Sequence, residues 1–90
     1  MPVERTVPLL HRTGLHLRAA GRLAQTAGRF ESEVRVGITG RSANAKSILD
    51  ILTLAAGPGV NLTISAEGPD AGHAVEAIAT LVQRNFDEEP

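Results

Sequence analysis

The stretch ESEVRVGITGRSANAKSILDIL, residues 31–52, decides the fold. Val34, Val36 and Ile38 alternate with other residues at the period of two that marks a strand. Thr39-Gly40 is a turn signal, and Arg41 to Asn44 reads as a short strand returning beside the first. Ser47 then opens an apolar stretch from Ile48 to Ala56, with Ser47 placed as N-cap and Asp50 at the third helical position. The expectation is a short helix over 48–56, ended by Gly57-Pro58-Gly59. Two strands followed at once by a helix break the regular strand–helix alternation of a parallel α/β sheet.

On the C-terminal side, Val60, Leu62, Ile64 and Ala66 alternate as a further strand. Gly68-Pro69-Asp70 starts a last helix, with proline near its first position and an acid in its first turn. Val75, Ile78, Leu81, Val82 and Phe86 make its buried stripe, and residues 87–90 read as a frayed tail. On the N-terminal side, Val3, Val7 and Leu9 share one face of a strand over 3–10, with Pro8 at an edge or near its end. His11 to Gly14 is a loop. From Leu17 the spacing of Leu17, Ala20, Leu23, Ala24 and Ala27 becomes helical, with Gly28 as its stop. The order β-α-β-β-α-β-α predicts an α+β two-layer domain: a four-stranded antiparallel sheet with three helices on one face.

Length and composition narrow the function. Ninety residues argue for a single domain over 1–90. Without cysteine there is neither a disulfide framework nor a thiolate metal site. No apolar run is long enough to span a bilayer, and the charged N-terminus does not read as a signal peptide, so the expected location is cytoplasmic, without membrane insertion. A net charge of −1, two aromatic residues, and no tyrosine or tryptophan argue against a nucleic-acid-binding module. No P-loop, dinucleotide-binding fingerprint, GxSxG or HExxH is present. His11, His16 and His73 fall on different elements, so neither a metal site nor a cofactor is expected. His73 reads as solvent-facing and His11 as a loop residue without a role.

His16 stands apart by position. It immediately precedes the first helix, where the free N–H groups of Leu17, Arg18 and Ala19 point toward it and the helix carries partial positive charge. That environment favours a neutral, nucleophilic ring and favours negative charge added to it. A phosphoryl group on His16 would meet those N–H groups and the Arg18 guanidinium, the side chain best matched to phosphate oxygens. The plainer alternative is a tolerated surface residue at a cap position that usually takes Ser, Thr, Asp or Asn. The charge distribution adds context: from Arg5 to Phe30 there are five arginines and no acid. Arg18, Arg22, Gln25 and Arg29 fall within a narrow arc of the helix, either a solvated face or a docking surface for an acidic partner. Ser47 is either a cap or a phosphorylation site, and Asp50 one turn on, which would repel a phosphate, favours the cap.

Three segments carry a family resemblance: TGLHLRAA, NAKSILDILTLAAGPG and VNLTISAEGPDAGHAVEAI. In that order, across nearly the whole chain, they resemble HPr, the histidine phosphocarrier family of the bacterial phosphoenolpyruvate-dependent sugar phosphotransferase system. The resemblance implies an open-faced β-sandwich and a stoichiometric carrier, not a turnover catalyst. It implies that His16 accepts a phosphoryl group on Nδ1 from enzyme I and passes it to enzyme IIA domains, with Arg18 facing the phosphate. Ser47 falls where a dedicated serine kinase acts in some members. Leu17, Gly21, Ile48, Leu49 and Leu52 match the family's apolar docking surface, with Arg22 and Arg29 at its basic rim. A monomer is expected. Three departures stand out: Ala19 where proline is usual, Gln25 and Gly28 where basic residues are common, and Asp50 where a basic or small residue is common. These would suit a divergent or regulatory paralogue.

Overall fold

The computed structural model describes residues 2–87. Strand β1 (Val3–Pro8) leads to helix α1 (Leu17–Ala27), the hairpin β2 (Glu33–Ile38) and β3 (Arg41–Asn44), and the short helix α2 (Ile48–Leu52). Strand β4 (Asn61–Glu67), helix α3 (Ala71–Gln83) and a 3-10 turn (Asn85–Asp87) complete it. Every pairing is antiparallel, as the sequence pattern implies, and the structure adds the sheet order, β1-β4-β2-β3. β4 slots between β1 and β2, setting Leu62 opposite Val7 and Ile64 opposite Val36.

Alternation puts Val7, Val34, Val36, Ala43, Leu62, Ile64 and Ala66 on one face of this sheet, all buried. The helices cover that face with Leu23, Ile51, Val75, Ile78 and Val82. The opposite face stays open and polar. There the Thr6 and Thr63 hydroxyls meet at 3.1 Å, and the Arg35 guanidinium donates to Ser42 Oγ at 3.0 Å. Burying one face and wetting the other is what an antiparallel sheet permits.

Local boundaries differ from the sequence pattern where the backbone leaves regular geometry. β1 ends at Pro8, two residues before Leu10. Leu9 remains buried, its N–H donating to the Val60 carbonyl at 2.8 Å. Val3, at the sheet edge, is 40% exposed instead of facing the core. α2 ends at Leu52, not Ala56: the Thr53 hydroxyl donates to the Asp50 carbonyl, and Ala55 turns left-handed at φ 50°. Phe86 is fully buried but lies beyond α3, in the turn, at φ 58°. Asp87 belongs to that turn and pairs with Arg84 at 2.9 Å, so it is not part of a frayed tail. Residues 88–90 lie outside the described residues.

Asp70 sits at the cap position of α3 but does not cap it. Its carboxylate turns back to accept from Ser32 Oγ at 2.6 Å, Ser32 N–H at 2.9 Å and Glu31 N–H at 3.0 Å. The Ser32 hydroxyl first, then the two N–H groups, hold the Asp70 carboxyl at about 2, below its ordinary 3.8. The clamp leaves no room at Gly68, where a Cβ would meet Ser32 Oγ at 2.6 Å. It ties the loop after α1 to the start of α3, across 38 residues of chain.

Candidate functional site

The loop before α1 is fixed from below. Gly14 adopts φ 70°, and a Cβ there would meet the Ala56 carbonyl oxygen at 2.5 Å, so only glycine fits. Leu15 is buried, and its N–H donates to that same carbonyl at 2.9 Å. The loop therefore rests on the connection between α2 and β4. His16 follows in extended geometry, φ −84° and ψ −179°, and its carbonyl accepts the first intrahelical bond, from Ala20 N–H at 2.8 Å.

That geometry turns the His16 imidazole over the helix end. Nδ1 accepts a hydrogen bond from the Arg18 N–H at 3.2 Å. A nitrogen that accepts is not protonated, so the arrangement places the ring hydrogen on Nε2 and the lone pair on Nδ1. Histidine thus acts as the N-cap, a role that normally falls to shorter side chains. The first turn of α1 contains no acid of its own to meet the positive end of the helix. The Leu17 and Arg18 side chains are exposed, whereas Ala19 is fully buried under the cap. The Arg18 guanidinium makes no hydrogen bond or ion pair with the described residues.

The remaining arginines of the arc separate. Arg22 is half-buried and donates through Nη1 to the Phe86 carbonyl, tying α1 to the C-terminal turn instead of rimming a surface. Gln25 and Arg29 are exposed, and Arg29 lies just past Gly28, the C-cap at the far end of α1 from Arg18. Ser47 caps α2: its Oγ accepts from Asp50 N–H at 3.2 Å, and the Asp50 carboxylate accepts from Asn44 N–H at 2.7 Å. Gly21 faces Ile48, whose Cδ1 lies 3.9 Å from where a Cβ on Gly21 would stand. Leu17 and Leu49 are 65% and 77% exposed, Ile48 is partly exposed, and Leu52 packs on the core. α1 and α2 together therefore present a small apolar surface, of the kind that transient partners cover.

Sequence reasoning missed His11. Its ring centroid lies 4.9 Å from that of His16, tilted by 59°, and 6.2 Å edge-on from that of Phe86. Its Nδ1 is hydrogen-bonded by Thr13 Oγ1 at 3.0 Å and Thr13 N–H at 3.3 Å. No pattern signals a contact between loop residues five apart. Leu10, 66% exposed beside this loop, was equally unmarked. His73 is exposed on α3. Among the described residues no three His, Cys, Asp or Glu side chains converge as metal ligands, and no helix is long and apolar enough to cross a membrane.

Residues 3–84 match the family described as the PTS HPr component phosphorylation site. The chain is 38% identical over 86 residues to phosphocarrier protein HPr of Cupriavidus necator, covering 96% of this chain and 97% of that one. It is 40% identical over 86 residues to phosphocarrier protein NPr of Shewanella violacea, covering 96% and 94%. Its structure superimposes on the crystal structure of HPr from Thermoanaerobacter tengcongensis with a TM-score of 0.92 at 38% identity, covering 98% and 99%.

Proposed function

The chain belongs to the HPr family of the phosphotransferase system and is a phosphocarrier, and we propose that His16 carries the phosphoryl group with Arg18 as its clamp. The observation that carries this reading is the His16 cap, with its Nδ1 lone pair held on the Arg18 N–H at a helix start without acids. In the transfer, Nδ1 releases that hydrogen bond and attacks the phosphorus carried by phosphorylated enzyme I. The bond from phosphorus to the donor atom breaks and leaves its electron pair on that atom. The oxygens of the transferred group then inherit the Arg18 N–H, and the guanidinium is the cation that neutralises them. The Leu17 N–H adds to the cradle, and Ala19 contributes once the ring lifts. Delivery to an enzyme IIA domain reverses these steps, so the protein works stoichiometrically through positioning and charge, as in phosphoryl transfer generally.

Leu17, Gly21, Ile48, Leu49 and Leu52 form the docking surface in this reading, with Arg29 at a distance and Arg22 spent on the C-terminal turn. In this reading residues 1–90 act as one unit in the cytoplasm, and as a monomer, because His16, Arg18 and the α1–α2 surface all lie on one copy. A regulatory paralogue is the second reading. It is favoured by Asp50, whose carboxylate sits in the turn that Ser47 caps. Ser47 serves as a cap in both readings. The experiment is incubation with enzyme I and phosphoenolpyruvate, followed by mass spectrometry. One acid-labile phosphoryl adduct is expected on the wild type and none on His16→Ala. An adduct of equal yield on His16→Ala contradicts the assignment. Transfer onward to a sugar-specific IIA domain favours the uptake role, and transfer only to a regulatory IIA domain favours the paralogue.

A further inference from the structure

We propose that His11 is a positioning residue for His16, seated in turn by Phe86 of the C-terminal turn. The proposal rests on the reading of His16 as phosphoryl acceptor and adds what holds its ring in place. An imidazole at a helix end has a broad, roughly two-fold χ2 preference, and rotation about it exchanges Nδ1 for Cδ2. The 3.2 Å bond from Arg18 N–H fixes one atom of the ring. A second ring at 4.9 Å and 59° bounds its plane as well.

His11 suits that task because it is itself held. Thr13 engages its Nδ1 through both the hydroxyl and the backbone N–H, and Gly14 N–H donates to its carbonyl at 2.9 Å. Behind it stands Phe86, fully buried and edge-on to the His11 ring. Phe86 reaches this place at a cost. Asn85, Phe86 and Asp87 all adopt left-handed φ, 52°, 58° and 61°, a conformation that non-glycine residues rarely enter and three in succession more rarely still. Such strain persists only where the surroundings over-determine it. Here the burial of Phe86, the Arg22 bond to its carbonyl and the Arg84–Asp87 pair do so. The result is a row of rings, Phe86–His11–His16, running from the C-terminal turn to the reactive nitrogen. Arg22 belongs to this support.

Two substitutions separate the ring from the loop bonds. His11→Asn keeps a side-chain acceptor for the Thr13 N–H, as asparagine does in turns, but removes the ring. His11→Phe keeps a ring and removes the acceptor. With phosphorylated enzyme I as donor, His11→Asn is expected to lower kcat for transfer to His16 by about fivefold, with KM within about twofold of wild type, while His11→Phe stays near wild-type kcat. The ring 15N shifts of unphosphorylated His16 are expected to report an unprotonated Nδ1 in the wild type and in His11→Phe, and a mixture of tautomers in His11→Asn. Backbone amide spectra identify variants that fail to fold, and Phe86→Leu, which keeps the apolar volume, is expected to show the same shift change more weakly. Wild-type kcat and His16 shifts in His11→Asn, or equal losses in both His11 variants, overturn the proposal. The ring shifts need no transfer, so they judge the positioning role even if the wild type proves not to be phosphorylated on His16.

Discussion

Helices α1 and α2 pack against each other and their starts are built alike, yet those starts are loaded differently. Each is capped by a side chain that accepts a backbone N–H: His16 Nδ1 from Arg18, Ser47 Oγ from Asp50. In α2 the first turn already contains an acid, Asp50, and its carboxylate is engaged by Asn44 N–H. In α1 the first turn has no acid and an arginine at its second position. One positive helix end meets an acid of its own first turn, and the other has none there. If His16 is the phosphoryl acceptor proposed above, the difference between a structural cap and a reactive one lies less in the cap than in the turn behind it.

The sharpest way to break the comparison is to remove each cap. His16→Ala is expected to abolish the phosphoryl adduct while costing at most about 1 kcal/mol of stability, since histidine is a weak cap. A mass spectrum and a thermal melt read both. The next test makes α1 resemble α2. Leu17→Asp puts a carboxylate in the exposed first turn, where it stabilises the helix by about 0.3–1 kcal/mol through the dipole. The same charge opposes an incoming phosphoryl group, and transfer to His16 is expected to slow about tenfold, roughly 1.4 kcal/mol in the barrier. An unchanged rate would mean that the acid-free turn is irrelevant.

α3 extends the contrast, because its start carries an acid that turns away from the helix to clamp Ser32 and Glu31. The folded Asp70 carboxyl is held at about 2, below 3.8, so its stabilisation is complete above about pH 4 and fades as pH falls toward 2. Asp70→Asn is expected to lower stability at pH 7 and to flatten that acid-side slope in chemical denaturation followed across pH 2–5. An unchanged slope would contradict the clamp. The smallest effect belongs to Ser47→Ala. It should cost about 1 kcal/mol, seen as a lowered melting temperature, and leave transfer to His16 unaltered.

Caps and strands were legible because they are local. The alternation of Val34 and Val36, the turn at Thr39-Gly40 and the position of His16 one residue before Leu17 are all visible within a few residues. Ser47 reads as a cap for the same reason. What stayed hidden depends on distant chain or on unusual backbone. Asp70 looks like a helix-start acid until Ser32, 38 residues earlier, is folded against it. The end of α2 and the place of Phe86 follow from left-handed residues at Ala55 and 85–87, which neither alanine nor phenylalanine advertises. His11 shows no periodicity because its partner, Phe86, is brought to it by the whole fold. Spacing alone left the function open; the resemblance of three segments to the HPr family supplied the phosphocarrier reading, and the role of His16 in it is the proposal made above.

The central claim is that the lone pair held on the Arg18 N–H is the one that takes the phosphoryl group. Phosphorylating 15N-labelled protein with enzyme I and phosphoenolpyruvate, then recording long-range 1H–15N and 31P spectra, tests it directly. The account predicts a single phosphorylated histidine, His16, with phosphorus bonded to Nδ1. Phosphorus on Nε2 of His16, or on His11 or His73, would contradict it.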